Sequence, residues 1–213
     1  VCGGGQPCFG FTPDGAGYKT PHGVEFNPEK ARALLAQAGF PGGKGFPRLE
    51  LMTTSREVQK TMAEAIQGMW KRHLGVHVDI RSCEWTAYKF AQNSMQYDFS
   101  SSSWSGDYLD PSSFLDLWSS ASGNNNTGWS RPEYERLLAE SRATGDQEKR
   151  MALLARAEAL MLSESPVIPL YWARRSYLKS PEVRGWHPLL LDNHLFEDIS
   201  LGAPREQGKE AAP

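Results

Sequence analysis

Trp104-Ser105-Gly106-Asp107-Tyr108-Leu109-Asp110-Pro111 lies where an extended polar run, residues 98–103, gives way to a helix that opens near Pro111. A strand that hands over to a helix is the unit of an α/β fold, and small residues between the two leave room for another backbone to approach. The same stretch brings an indole, a carboxylate and small residues to the end of a strand. An aromatic ring can cover a ligand side chain, and a carboxylate can hold a cation. Ser103, Trp104, Ser105, Gly106, Asp107 and Tyr108 are the candidate binding residues, with Asp107 as the anchor for a ligand amine. Each has a plainer role open to it. Asp107 can be a turn or helix-flanking residue, Trp104 and Tyr108 core aromatics, and Ser105 and Gly106 turn formers. Asp110, directly before Pro111, reads as the helix cap.

Upstream of this junction, residues 85–91 predict a short helix. Residues 76–81 alternate as a strand with Val76, Val78 and Ile80 on one face. Before them, Ser55 caps a helix whose stripe is Val58, Met62, Ile66, Met69 and His73, and Gly75 ends it. Residues 48–53 read as a strand that follows a Gly/Pro loop at 41–47. Asn27 caps an earlier helix with Pro28 in its first turn and Ala31, Leu34, Leu35 and Ala38 as its stripe; Gly39 stops it. Residues 1–26 are rich in Gly and Pro and read as loop.

Downstream, the helix from Pro111 continues through Trp118, and 119–128 is a polar loop. Ser130-Arg131-Pro132-Glu133 has capping-box spacing. The helix after it places Tyr134, Leu137 and Leu138 on one face, and a longer helix spans about 147–162. Residues 166–172 read as a buried strand, 176–179 as another and 194–201 as a weak one. Residues 202–213 read as a disordered tail. Helices and strands alternate, so the expected class is α/β.

At 213 residues, with 39% hydrophobic and 23% charged residues, the chain has the make-up of a globular protein with room for a sizeable core. A net charge of −2 gives no electrostatic footprint for nucleic acid or an anionic membrane. The first residues, Val1-Cys2-Gly3, are no signal peptide and point to a truncated or processed chain with any targeting signal upstream. Of three cysteines, Cys2 and Cys8 flank a Gly-rich loop and could pair, and Cys83 stands alone. No Cys-x-x-Cys occurs, and Gly75 separates His73 from His77, so no metal and no cofactor is expected. No nucleophile elbow or phosphate loop occurs, so no enzyme is expected. The remaining catalytic possibility is Asp107 with Asp110 as a carboxylate pair.

Five segments in order carry a resemblance: Pro28-Glu29-Lys30-Ala31-Arg32-Ala33-Leu34-Leu35-Ala36-Gln37-Ala38-Gly39-Phe40, Met69-Trp70-Lys71-Arg72-His73-Leu74-Gly75-Val76, the Trp104–Pro111 stretch, Asn126-Thr127-Gly128-Trp129-Ser130-Arg131-Pro132-Glu133-Tyr134, and Pro166-Val167-Ile168-Pro169-Leu170-Tyr171. With them the chain resembles the C-terminal portion of the dipeptide and oligopeptide (family 5) solute-binding proteins of ABC transporters, over about residues 27–201. The resemblance implies a type II periplasmic-binding-protein-like clamshell whose two lobes close over a ligand. Residues 1–22 would be loop or partial linker, 23–173 the second ligand-binding lobe, 174–201 a return segment into the first lobe, and 202–213 the tail. Asp107 would accept a peptide's α-ammonium while the residues before it pair with the peptide backbone.

The implied partners are a peptide or other small solute and a membrane permease, without nucleic acid. The protein would be a monomer in the periplasm or anchored on the outer face of the cytoplasmic membrane. One departure bears on the ligand. Long-peptide receptors of the family carry arginines on the strand before the Trp, which help bind the peptide's carboxylate. Here that strand reads Ser100-Ser101-Ser102-Ser103, and no basic residue lies between Lys89 and Arg131. Short peptides are therefore expected. Oligosaccharides, nickel chelates and haem, which the wider family also binds, are the alternatives.

Overall fold

Asn27 starts the first long element as its chemistry demands: its Oδ1 accepts from the Lys30 amide at 2.9 Å, and Pro28 sits in the first turn. The structure, a computed structural model, describes residues 5–174, 176–189 and 194–202. Its order is β1 (Gln6–Pro7), α1 (Pro28–Gln37), β2 (Leu49–Thr54), α2 (Glu57–Leu74), β3 (Val78–Cys83), α3 (Trp85–Asn93), β4 (Phe99–Ser100), α4 (Ser112–Leu115), α5 (Pro132–Ala143), α6 (Gln147–Glu164), β5 (Tyr171–Trp172), β6 (Val183–Arg184) and β7 (Ser200–Leu201). Short 3-10 turns follow at Pro41–Gly43, Asp116–Trp118 and Phe196–Asp198.

The sheet that matters for the site has the order β3-β2-β4 and is parallel throughout. Leu51 of β2 pairs with Ile80 on one side and Phe99 on the other. Successive β2 side chains point to opposite faces, as strand geometry requires. Leu51 joins Ala63, Val76 and Val78 in a cluster closed by Leu35, Ile66, Trp70 and Leu74. Met52 joins Tyr88 and Ala91 of α3. The strand is thus covered on both faces, α1 and α2 on one and α3 on the other.

Six expectations are corrected here. The inward row of α2 is Ala63, Ile66, Trp70 and Leu74, while Val58 and Met69 are exposed. The two apolar rows lie side by side, and the one carrying Trp70 reaches Phe99 across the sheet with ring centroids 5.1 Å apart. Ser55 does not cap α2; its amide donates to the Cys83 carbonyl at 2.9 Å and prolongs the β2–β3 pairing. The capping box before α5 does not form: Arg131 holds the cap position in an extended conformation, as a residue before Pro132 prefers. Of residues 166–172 only β5 is a strand, antiparallel to β1, and Ile168 and Leu170 are half-exposed. Residues 176–179 form no strand, and the 194–201 segment is a 3-10 turn followed by β7, which pairs with β6. Gly75 ends α2 at φ 71°, where a Cβ would lie 2.2 Å from the Gly42 carbonyl oxygen, so only glycine fits.

A second core gathers α4, α5 and α6. Tyr134, Leu137 and Leu138 share one face of α5 as expected, and they meet Leu115, Trp118, Leu154, Ala157 and Met161. Residues 5–26 hold little regular structure, yet Tyr18 is buried in this core. Buried Glu158 of α6 accepts from the Phe11 amide at 2.7 Å, the Thr12 amide at 3.1 Å and the Tyr18 hydroxyl at 2.6 Å. Burial, and then the Glu158 charge, push the Tyr18 hydroxyl well above its ordinary pKa. Cys8 and Cys83 are free thiols, and burial with the nearby Glu158 raises Cys8 to about 11. Cys2, and the tail expected from 203 onward, lie outside the described residues.

Candidate functional site at the end of the parallel sheet

Parallel strands send all their carboxyl ends to one edge, and in open α/β sheets that edge is where ligands collect. β4 arrives there and stops early. The Ser101 amide donates the last rung, to the Met52 carbonyl at 2.9 Å. Beyond it β2 turns into α2, so the chain has no neighbour to pair with, and the polar strand expected to reach residue 103 ends at Ser100. Residues 102–106 run on without a bend, and among the described residues their main chain forms no hydrogen bond. An extended segment with unpaired amides and carbonyls is a template for another strand.

Asp107 follows that segment and is exposed. Its amide donates to the Ser113 hydroxyl at 2.6 Å, and the Trp104 indole N–H donates to the Ser113 carbonyl at 2.8 Å. One buried residue at the start of α4 thereby positions both. Trp104 is half-buried and leans on the helical core while also lining the candidate recess. Tyr108 is 47% exposed, against its reading as a core residue, and its hydroxyl lies 3.2 Å from the Ser112 hydroxyl. Trp104, Asp107, Tyr108, Ser113, Asp116 and Asn124 line a small recess of about 120 Å³. Ser103 and Ser105 are exposed on the approach to it. Gly106 packs on Phe114, where a Cβ would lie 2.8 Å from the ring. A larger recess of about 390 Å³ lies between Phe46 and Asp79, at the opposite ends of the strands, and includes none of the candidate residues.

Asp110 does act at the helix start, accepting from the Ser112 amide at 2.9 Å. Its larger role was not anticipated. Arg150 of α6 binds both its oxygens, at 2.6 and 2.7 Å. Burial alone would raise the Asp110 pKa, but hydrogen bonds from Arg150 and Ser112 outweigh it and hold the carboxyl down to about 2. That commitment removes Asp110 from a catalytic pair with Asp107. Ser113 and Arg150 escaped sequence reasoning for different reasons. The first looks like any small helix residue, and the second lies 40 positions from its partner.

Residues 3–126 match the family model for bacterial extracellular solute-binding proteins, family 5, middle region. The chain is 32% identical over 177 residues to the oligopeptide-binding protein OppA of Bacillus subtilis, which covers 83% of this chain and 32% of that protein. Among solved structures, a periplasmic oligopeptide-binding protein of Borrelia burgdorferi superposes with a TM-score of 0.79 at 30% identity, over 93% of this chain and 40% of that one. The murein tripeptide binding protein MppA of Escherichia coli gives 0.80 at 29% identity, over the same shares. The chain therefore spans about a third of the length of the curated relatives it matches, and its α/β fold is that of the type II periplasmic-binding class.

Proposed function

The chain belongs to the family 5 bacterial extracellular solute-binding proteins, and from that premise we propose that it is the second lobe and return segment of the binding component of an ABC importer. It holds short peptides by their free amine and backbone, with no catalytic step, and the complete protein delivers them to a membrane permease. It works as a monomer in the periplasm or on the outer face of the cytoplasmic membrane. In this reading residues 23–173 are the ligand-binding lobe and 174–201 return to a first lobe.

The observation that carries the reading is an exposed carboxylate, Asp107, at the end of an unpaired extended segment on the ligand edge of a parallel sheet. Backbone pairing along 102–106 is indifferent to the side chains of a peptide, which suits a receptor for many sequences. The amine contact supplies selection, since a charge-assisted hydrogen bond contributes about 1.5–3 kcal/mol. Trp104 and Tyr108 cover the first ligand residue.

Calorimetric titration of the full-length protein with alanine di-, tri- and tetrapeptides tests this. We expect N-acetylation of the peptide, or Asp107→Ala, to weaken binding tenfold or more, at about 1.4 kcal/mol per decade. Equal affinity for free and N-acetylated peptides would refute the amine anchor. Saturable binding of an oligosaccharide, a nickel chelate or haem that ignores Asp107→Ala would transfer the site to that ligand.

A further inference from the structure

Between Arg81 and Arg131 the sequence holds one cation, Lys89, and five carboxylates, Glu84, Asp98, Asp107, Asp110 and Asp116. Four of the acids are committed. Glu84 caps α3 through the Thr86 amide at 2.8 Å, and Asp98 accepts from the Glu50 amide at 2.9 Å. Asp110 pairs with Arg150 at 2.6 Å, and Asp116 with Arg142 at 2.7 Å. Within this stretch, and among the described residues, the Asp107 carboxylate takes no hydrogen bond or ion pair, and Lys89 has no acidic partner.

Lys89 is not simply waving in solvent. It is half-buried on the α3 face formed by Trp85, Tyr88, Lys89 and Gln92, residues at i, i+3, i+4 and i+7 that share one side of a helix. Its Nζ donates to the Gln92 Oε1 at 2.8 Å and lies 6.0 Å from the centre of the exposed Trp85 ring. Trp85 in turn stacks on Tyr88, centroids 5.9 Å apart. The buried Gln92 amide donates to the Tyr88 hydroxyl at 3.1 Å, and that hydroxyl donates to the Ser101 carbonyl at 2.5 Å. Ser101 is the last paired residue before the open segment. A neutral network thus fixes the ammonium beside the start of the unpaired strand, while Asp107 stands at its end.

We propose that Lys89, seated on Trp85 and steadied by Gln92, receives the carboxylate of the ligand whose amine Asp107 holds. The proposal rests on the peptide reading of the site and narrows it: the ligand is a zwitterion, a short peptide with a free C-terminus, lying antiparallel to residues 102–106. Five residues lie between Ser101 and Asp107, so six backbone steps reach at most about 20 Å, and the ligand is up to about five residues long.

The test titrates tri- and tetra-alanine, their C-terminal amides and their N-acetyl forms into the full-length protein, as wild type, Lys89→Met and Lys89→Arg. The wild type should favour the acid over the amide by about tenfold, the effect of one charge-assisted contact at a half-exposed position. Lys89→Met should erase that preference while leaving discrimination against N-acetyl peptides intact, and Lys89→Arg should restore part of it. An acid-to-amide ratio unchanged by Lys89→Met overturns the carboxylate role alone. Loss of N-acetyl discrimination with the acid preference retained overturns the amine anchor and leaves Lys89 standing. No binding of any of these peptides overturns both.

Discussion

The helical half of the molecule, α4 to α6, and the sheet half, β2 to β4 with α1 to α3, bury their side chains to different degrees. The first holds a continuous core in which Leu115, Tyr134, Leu154, Ala157 and Met161 are sealed from water. The second seals parts of its strands, Ala63 of α2 and Tyr88 and Ala91 of α3, and it leaves Leu34, Val58, Met69 and Phe90 in the open. The site sits on the seam. Its open segment comes from the sheet half, while the Asp107 backbone is held by Ser113 and the nearby Asp110 by Arg150, both in the helical half. A site built this way has a firm anchor and an accessible edge, which is what a receptor for extended ligands needs.

Three changes probe that contrast, the largest expected effect first. Glu158→Ala removes the acceptor of a buried amide, a part-buried amide and a buried hydroxyl, and orphaned groups of this kind cost about 3–5 kcal/mol. Urea unfolding of the variant should show a loss of that size; a loss below about 1 kcal/mol would mean that the 5–22 segment is not held to the helical half as the geometry requires.

Arg150→Ala should cost less, about 1–2 kcal/mol, since both partners keep some contact with water. The pH dependence has a definite sign. The folded pKa of Asp110, about 2, lies below the ordinary carboxylate value of about 3.9, so the pair stabilises fully above about pH 4 and loses its contribution as pH falls toward 2. The stability gap between wild type and Arg150→Ala should therefore close across that window. A gap that stays constant down to pH 2 would show that the pair is not the source. Val58→Ala is the smallest change, within about 0.5 kcal/mol because the side chain is exposed. A cost near 2 kcal/mol would place Val58 in a core and make the two halves alike.

Much of this was legible in the chain. Asn27-Pro28, Gly75 and the row Tyr134, Leu137, Leu138 announce their elements because capping, left-handed closure and helical spacing are local rules. The errors cluster where a local rule met a distant competitor. Ser55 could cap α2 but its amide was drawn to Cys83, and the capping-box serine before α5 yielded to the proline that follows it. Residues 166–172 have strand composition, yet only two of them found a partner. The site shows the same division. Trp104, Asp107 and Tyr108 are candidates by their chemistry at a strand end, whereas the contacts of Ser113 and Arg150 arise only through neighbours in space.

The sequence by itself determined the alternation of helices and strands, the identity of the junction and the presence of an acid at it, because each follows from interactions among residues a few positions apart. The tertiary structure alone decided that the acid faces outward beside an unpaired strand, and that Asp110 is spent on Arg150. Those outcomes depend on which residues far apart in the chain come within a few ångströms, and spacing along the backbone does not encode that distance.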